Sequence, residues 1–337
     1  MNLEQIIIQL ADTSGVSGDE NKAAELAIEM LKKYTDDCYI KNENVIGHFG
    51  KKGAKPHILI DAHIDQIGFV VTYITDDGFL KISNCGGIDR RLLLAQQVTV
   101  LGKEPVSGIV CAIPPHLSTD ESSVPEMDEI CIDIGMTKEQ AEKVISYGDK
   151  IVFATGCKKL HGDRITGAAL DDRCGVAAIL RALEIIKGNN FDYELTVMFS
   201  TQEELGERGA KIGVFDIDPD IALAVDVSFA LTADDSEIKC GKMGKGCMIG
   251  FAPTLDKGLS QQLKAIAEKN NMPYQIEVMN GETGTNADRF SVNKSGVRAV
   301  TLSIPLKYMH TPVEVISISD VENTAQLIAA YLQEVTV

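Results

Sequence analysis

Histidine and carboxylate side chains follow several of the most apolar segments of this 337-residue sequence. Asp226 is the clearest case, because a carboxylate within the apolar run IALAVDVS is costly to bury without a partner. The complete candidate set, in chain order, is His63, Asp171, Glu204, Asp226 and His310. Imidazole and carboxylate ligands together suit Zn²⁺, Co²⁺ or Mn²⁺. The sequence therefore predicts a divalent-metal site.

The number of carboxylates favours two metal ions over one. Three ligating carboxylates and one hydroxide neutralise two divalent cations when one carboxylate bridges them. Ion pairs of this kind lie about 3.5–4 Å apart and lower the pKa of a bridging water towards about 7. We therefore expect hydrolytic chemistry at neutral pH, with two divalent ions per chain.

Two further carboxylates are predicted to act beside the metal ions. Glu203 precedes Glu204, and adjacent side chains on an extended segment point in opposite directions, so one can bind metal while the other serves the water. Glu203 is the predicted general base, a role worth about 10²–10⁴-fold in rate. Asp65, two residues after His63, is predicted to accept the second ring N–H of that histidine and to fix its tautomer.

A structural interpretation of each residue taken singly stays open. Asp-Asp and Glu-Glu pairs are common in a chain with 49 acidic residues, where they cap helices or face solvent. The remaining histidines lack the context of His63 and are expected to be structural or on the surface; they are His48, His57, His116 and His161. What favours the metal centre is that four such polar groups each come at the end of an apolar run.

The apolar periodicity predicts the elements that hold these residues. Helical spacing marks two segments near the N-terminus, and after Asp171 helices alternate with strands. Between the two N-terminal helical segments and Asp171 lie short β-rich runs such as FLKIS and QQVTVLG. We predict an α/β fold with a mostly parallel sheet flanked by helices, and ligands gathered at the carboxyl ends of its strands. The expected division is a catalytic domain of residues 1–65 and 159–337 and an inserted β-barrel-like domain of residues 66–158.

Charge and composition exclude several functions. Acidic residues outnumber basic ones by 49 to 32, a net charge of −17, so phosphate backbones and anionic membranes are repelled. There is no secretion signal or transmembrane run, and the 8 Cys are scattered without a CxxC pair, so a reduced, cytoplasmic protein is expected. No GxSxG elbow, P-loop or GxGxxG motif occurs.

Several motifs resemble those of one known family. They are DAHIDQIGFVV (61–71), GGIDRR (86–91), IPPHL (113–117), ITGAALDDRCG (165–175), TQEELGERGA (201–210), AVDV (224–227) and YMHTPVE (308–314). Together they resemble the dinuclear metallo-aminopeptidases of clan MH, peptidase family forty-two. That family includes tetrahedral and glutamyl aminopeptidases and proteins historically labelled endoglucanase. The resemblance extends over nearly the whole chain.

This resemblance implies a zinc-exopeptidase-like fold and a role for each site residue. The implied roles are metal binding by His63 and His310, bridging by Asp171, completion of the ligand sets by Glu204 and Asp226, proton transfer by Glu203, and orientation of His63 by Asp65. It also implies a cis peptide bond between Asp171 and Asp172. The inserted domain would mediate self-association, most often into a dodecamer and sometimes into a smaller oligomer such as a dimer.

The resulting hypothesis is a metal-dependent aminopeptidase that removes N-terminal residues from peptides, with a metal-bridging water activated by Glu203. A carboxypeptidase or N-deacylase of a related family and a catalytically silent metal-binding assembly protein are the alternatives. An endoglucanase is disfavoured, because the chain has no Trp for sugar stacking. Two departures from the family pattern are Asn286, where many relatives have Asp, and the lack of a Gly before the Gln in LLLAQQVTV (92–100).

Overall fold

The computed structural model describes residues 2–114, 116, 124–233 and 239–335. Within these residues the helices are α1 (Leu3–Ala11), α2 (Asn21–Leu31), α3 (Lys138–Val144), α4 (Leu170–Ile185), α5 (Arg208–Ile217), α6 (Lys257–Lys269), α7 (Ala287–Ser291) and α8 (Ile318–Glu334). The strands are β1 (Cys38–Lys41), β2 (Asn44–Gly50), β3 (His57–His63), β4 (Gly68–Ile74), β5 (Leu80–Cys85), β6 (Gln97–Leu101), β7 (Pro105–Val110), β8 (Cys131–Asp133), β9 (Lys150–Phe153), β10 (Lys158–Lys159), β11 (Arg164–Gly167), β12 (Glu194–Ser200), β13 (Ile221–Phe229), β14 (Cys247–Phe251), β15 (Tyr274–Val278), β16 (Arg298–Leu306) and β17 (Glu314–Ser317). A short 3-10 helix spans Arg90–Leu92.

Eight of these strands form one mixed sheet in the order β1-β2-β12-β3-β13-β16-β14-β15. Its centre, β12-β3-β13-β16, is parallel, and these four strands are almost entirely buried. Parallel strands covered on both faces are apolar along their whole length, which is why runs such as ELTVMFS are recognisable in the sequence. The predicted α/β fold is confirmed, with parallel pairing in the centre of the sheet.

Pairing becomes antiparallel on both sides of this centre. β1 and β2 form a hairpin whose two-residue loop, Asn42 and Glu43, has positive φ at both positions. A loop of this type joins antiparallel strands. On the other side, β14 runs antiparallel to β16. Sequence periodicity gives no sign of β1, because this four-residue edge strand is largely exposed and buries no alternating face.

Helices cover both faces of the sheet. α1, α2, α4, α6 and α8 share one apolar core with the strands, whereas α5 and α7 pack on the opposite face. α4 is almost wholly buried and crosses β3 and β13, so its first turn lies beside the ends of those strands. Among the described residues, no helix combines the length and the hydropathy needed to cross a membrane.

A closed six-stranded barrel interrupts the chain between β3 and α4. Its strand order is β4-β5-β8-β7-β6-β9, which spans Gly68–Phe153. Phe69, Val100, Ile132 and Ile151 are fully buried inside it, in an apolar cluster separate from those that flank the large sheet. The barrel therefore has a core of its own.

Candidate metal centre

The predicted site residues meet at the carboxyl edge of the central sheet. They are contributed by the end of β3 (His63), the non-helical start of α4 (Asp171), the turn after β12 (Glu203 and Glu204), β13 (Asp226) and the loop after β16 (His310). All but His310 are largely or completely buried. This is the edge at which open α/β sheets bind ligands.

Asp171 divides its two carboxylate oxygens between two groups of side chains. Its Oδ1 lies 3.1 Å from Nε2 of His63, and the same nitrogen lies 3.9 Å from Oδ1 of Asp226. Its Oδ2 lies 3.4 Å from Nε2 of His310, which is also 3.4 Å from Oε1 of Glu204. Within each group the three ligand atoms lie within 4.8 Å of one another. Each group has the composition of a divalent-ion site, and Asp171 belongs to both.

Glu203 lies beside these groups in a tight turn. His63, Glu203 and Glu204 form a third group, in which one ligand atom from each residue lies within 4.8 Å of the other two. The expectation that the two glutamates lie on an extended segment is wrong, because the backbone N–H groups of Gly206 and Glu207 both donate to the carbonyl of Glu203. Gly206 has a φ of 98°, a conformation that glycine adopts readily, and it allows the chain to turn there.

Asp65 connects the two segments that carry His63 and the glutamates. Its carboxylate is fully buried and accepts the backbone N–H groups of Glu203 at 2.9 Å and Glu204 at 3.1 Å. It also accepts the hydroxyl of Ser17 at 2.7 Å, and its Oδ1 lies 3.4 Å from Nδ1 of His63. Nδ1 of His63 lies closer to the backbone carbonyl of Asp65, at 3.1 Å, than to its carboxylate. The clearer role of the Asp65 carboxylate is to hold the turn after β12 against β3.

Replacing Asp65 by Asn is expected to weaken metal binding by about 10–100-fold, the usual effect of removing a partner that orients a ligand. The amide retains one acceptor oxygen, but its NH₂ group would face N–H donors. The measurement is a competition titration with a chelator. Asp220→Asn is the control, because Asp220 accepts the backbone N–H of His57 at 2.6 Å, at the opposite edge of the sheet. Equal metal affinity in the two variants would contradict this role.

Glu314 is a functional candidate that the sequence prediction missed. It is 1% exposed and accepts the backbone N–H groups of Leu170, Asp171 and His310 at 2.9–3.1 Å. The sequence does contain a signal for it. A carboxylate at the start of the apolar run EVISIS is costly to bury without partners, which is the argument that singles out Asp226.

The electrostatics of the cluster fit the binding of cations. Burial is the main cause that raises the pKa of Glu203 to about 9 and the pKa of Asp226 to about 8, and neighbouring carboxylates add to it. Burial lowers the pKa of His310, but its hydrogen bonds with Asp171 and Glu204 outweigh burial and raise the pKa to about 11. The protein thus crowds carboxylates in a place of low polarity with too little positive charge to balance them. Divalent ions would supply that charge, and the imidazole and carboxylate donors suit them.

Comparison with known proteins identifies the family. Residues 43–327 match the family model described as M42 glutamyl aminopeptidase. The chain belongs to the M42 peptidase family. Among M42 relatives, the lysyl aminopeptidase of Pyrococcus furiosus is 33% identical to this chain, over 98% of this chain and 96% of the relative. Family membership assigns peptidase activity to the chain, and the similarity to aminopeptidases indicates the reaction class.

Solved structures of similar M42 aminopeptidases have the same fold. An aminopeptidase from the archaeon Desulfurococcus kamchatkensis matches with a TM-score of 0.93 and 36% identity, and the match covers 99% of this chain and 95% of the other. The TET1 peptidase of Pyrococcus horikoshii matches with a TM-score of 0.89 and 32% identity, over 99% of this chain and 100% of the other. That peptidase is described as assembling into a tetrahedron or a large octahedral shell.

Asn286, which the family resemblance marks as a departure, contacts β3, the strand that ends in the candidate ligand His63. Its Nδ2 donates to Oδ2 of Asp61 at 2.6 Å and to the hydroxyl of Ser200 at 2.8 Å, and all three residues are buried. An Asp at this position would place two carboxylates side by side and remove the donor. The neutral amide therefore suits the buried Asp61 of this chain.

The other histidines of this M42 peptidase lie outside the ligand groups. Nδ1 of His48 and Nε2 of His57 both contact the hydroxyl of Thr196, at 3.1 and 2.8 Å. His57 begins β3 and His63 ends it, so they lie at opposite edges of the sheet. His116 and His161 are exposed. The prediction that these four are structural or on the surface agrees with these positions. The peptide bond between Asp171 and Asp172 is cis, as the family resemblance implies.

Proposed function

We propose that this chain is a dinuclear metal-dependent aminopeptidase that hydrolyses the first peptide bond of peptides with a free N-terminus. The observation that carries the proposal is the division of the Asp171 oxygens between the His63 and His310 groups. Zn²⁺ and Co²⁺ are the proposed ions, and the same ligands are compatible with Mn²⁺.

The proposed reaction assigns proton transfer to Glu203. Two divalent ions, when bound, would polarise the scissile carbonyl and acidify water enough for attack at neutral pH. Glu203 then accepts the proton of the attacking water and returns it to the leaving amine. The Asp65 carboxylate accepts the backbone N–H of Glu203 at 2.9 Å. This contact keeps the Glu203 side chain beside His63 while the proton moves.

The preference for a free amine is proposed from the similarity to aminopeptidases. The lysyl aminopeptidase of Pyrococcus furiosus and the aminopeptidase of Desulfurococcus kamchatkensis are similar to this chain along nearly its whole length. The ligand carboxylates give no such preference, because two bound divalent ions would neutralise their charge. A carboxypeptidase or N-deacylase of a related family is the alternative, and it would accept a substrate whose amine is blocked.

Blocking the substrate amine is therefore expected to lower kcat/KM by about 10–100-fold. This is the effect of losing a contact with a charged group worth about 1.5–3 kcal/mol. The experiment compares leucyl-anilide with N-acetyl-leucyl-anilide, using metal-free protein reloaded with Zn²⁺, Co²⁺ or Mn²⁺. Faster turnover of the acetylated substrate with every metal would overturn the proposed function.

The barrel is proposed to mediate self-association, into a dodecamer or a smaller oligomer such as a dimer. We assign residues 66–158 to this inserted domain, and residues 1–65 and 159–337 to the catalytic domain. Support comes from the separate core of the barrel and from Tyr73, Ile109 and Tyr147, which are exposed on it. The assembly described for the similar TET1 peptidase of Pyrococcus horikoshii is consistent with this assignment.

A further inference from the structure

Glu314 holds two segments of the chain that carry proposed metal ligands. Its Oε2 accepts the backbone N–H groups of Leu170 at 2.9 Å and Asp171 at 3.1 Å, at the start of α4. Its Oε1 accepts the backbone N–H of His310 at 3.0 Å. One buried carboxylate therefore ties together segments that are more than 130 residues apart in the sequence.

The two proposed ligand groups differ in how their histidines are supported. His63 is the last residue of β3, and strand pairing with β12 extends to it. His310 lies in a loop between β16 and β17, and both it and Tyr308 have φ near +60°. Residues other than glycine adopt this conformation uncommonly, so a contact that stabilises it fixes the direction of the side chain. The hydrogen bond from the His310 N–H to Glu314 is such a contact.

We infer that Glu314 is a positioning residue that sets the affinity of the ion held by His310, Glu204 and Asp171. It does so without a comparable effect on the ion held by His63 and Asp226. The inference rests on the proposed two-ion function. Glu314 acts by fixing the backbone from which His310 extends, and it belongs to none of the ligand groups found among the described residues.

The Glu314→Gln substitution tests this inference because it keeps the side-chain shape and changes one acceptor into a donor. The best placement of the amide keeps its oxygen on the two N–H groups at the start of α4. Its NH₂ then faces the N–H of His310, so that hydrogen bond is lost and the loop loses its support. Asp171 then keeps its position, and only the loop that carries His310 loses a hydrogen bond.

The experiment titrates metal-free protein with Zn²⁺ against a competing chelator and fits two dissociation constants. We expect wild type to bind two ions, and Glu314→Gln to bind one with unchanged affinity and the other about 10–100-fold more weakly. Co²⁺ absorption spectra taken at one and two equivalents provide a second measurement. They are expected to match wild type for the first ion and to differ for the second.

Glu194→Gln is the matched control. Glu194 is also a buried glutamate that accepts a backbone N–H, that of Gly53 at 2.7 Å, but it lies at the amino end of β12, away from the ligands. Its substitution is expected to leave both dissociation constants unchanged. If Glu314→Gln yields too little folded protein, Glu314→Asp is measured in the same way. Its side chain is one methylene shorter and cannot reach both segments, and the inference requires that the ion held by His310 weakens more than the other.

Two results would overturn the inference. Two unchanged dissociation constants in Glu314→Gln would mean that the hydrogen bond to His310 does not position the ligand. Equal weakening of both ions, together with a lower melting temperature of the metal-free protein, would mean that Glu314 has a general structural role. Wild type that binds fewer than two ions would instead refute the proposed two-ion function, and the inference with it.

Discussion

Glu203→Gln is expected to lower kcat by about 10²–10⁴-fold while the protein still binds two metal ions per chain. Glutamine is nearly the same size but cannot accept the proton of the attacking water. Its backbone N–H is still held by Asp65, so the turn after β12 keeps its place and Glu204 stays available to the metal. The measurements are steady-state kinetics on an aminoacyl-anilide and elemental analysis of the dialysed protein.

The control for this substitution lies on the same turn. Glu207 forms an ion pair with Arg289 at 2.8 Å and belongs to none of the ligand groups. Glu207→Gln is therefore expected to keep both kcat and metal content close to those of wild type. A fall of less than about tenfold in Glu203→Gln would mean that another group accepts the proton. A loss of metal would mean that Glu203 is a ligand.

The position of the ligand groups is the part of the structure that sequence patterns predict best. A carboxylate or imidazole at the end of an apolar run is conspicuous, because burying it has a large free-energy cost without a partner. Parallel strands then bring several such ends to one edge of the sheet. Asp226, inside β13, and His63, at the end of β3, are both found by this argument.

The contacts that hold the ligands in place are much harder to predict. Asp65 and Glu314 each bind backbone N–H groups from segments more than 130 residues away. A backbone N–H is present at nearly every residue, so the sequence contains no pattern that identifies which one a carboxylate will accept. The turn at Glu203 and the hairpin of β1 and β2 depend on local φ values, which hydrophobic periodicity does not report.

Asp171→Ala is expected to abolish tight binding of both metal ions, because Oδ1 and Oδ2 of Asp171 face different ligand groups. Asp226→Ala removes a carboxylate from the His63 group alone, so it is expected to leave one ion bound. The same Asp→Ala change is thus expected to leave no tightly bound ion at position 171 and one bound ion at position 226. Elemental analysis after loading with two equivalents of Zn²⁺ measures this difference directly.

Thermal unfolding gives an independent measure of the same effect. An ion that binds only the folded protein adds about 2.7 kcal/mol of stability when its free concentration is about 100 times its dissociation constant. The melting temperature of wild type should therefore rise in two steps as Zn²⁺ is added, that of Asp226→Ala in one step, and that of Asp171→Ala hardly at all. Asp171 contacts both His63 and His310 in the absence of metal, so the melting temperature of metal-free Asp171→Ala is measured first and serves as the baseline for its titration. If Asp171→Ala retains one ion at wild-type affinity, Asp171 serves one group only, and the two ions do not share a carboxylate.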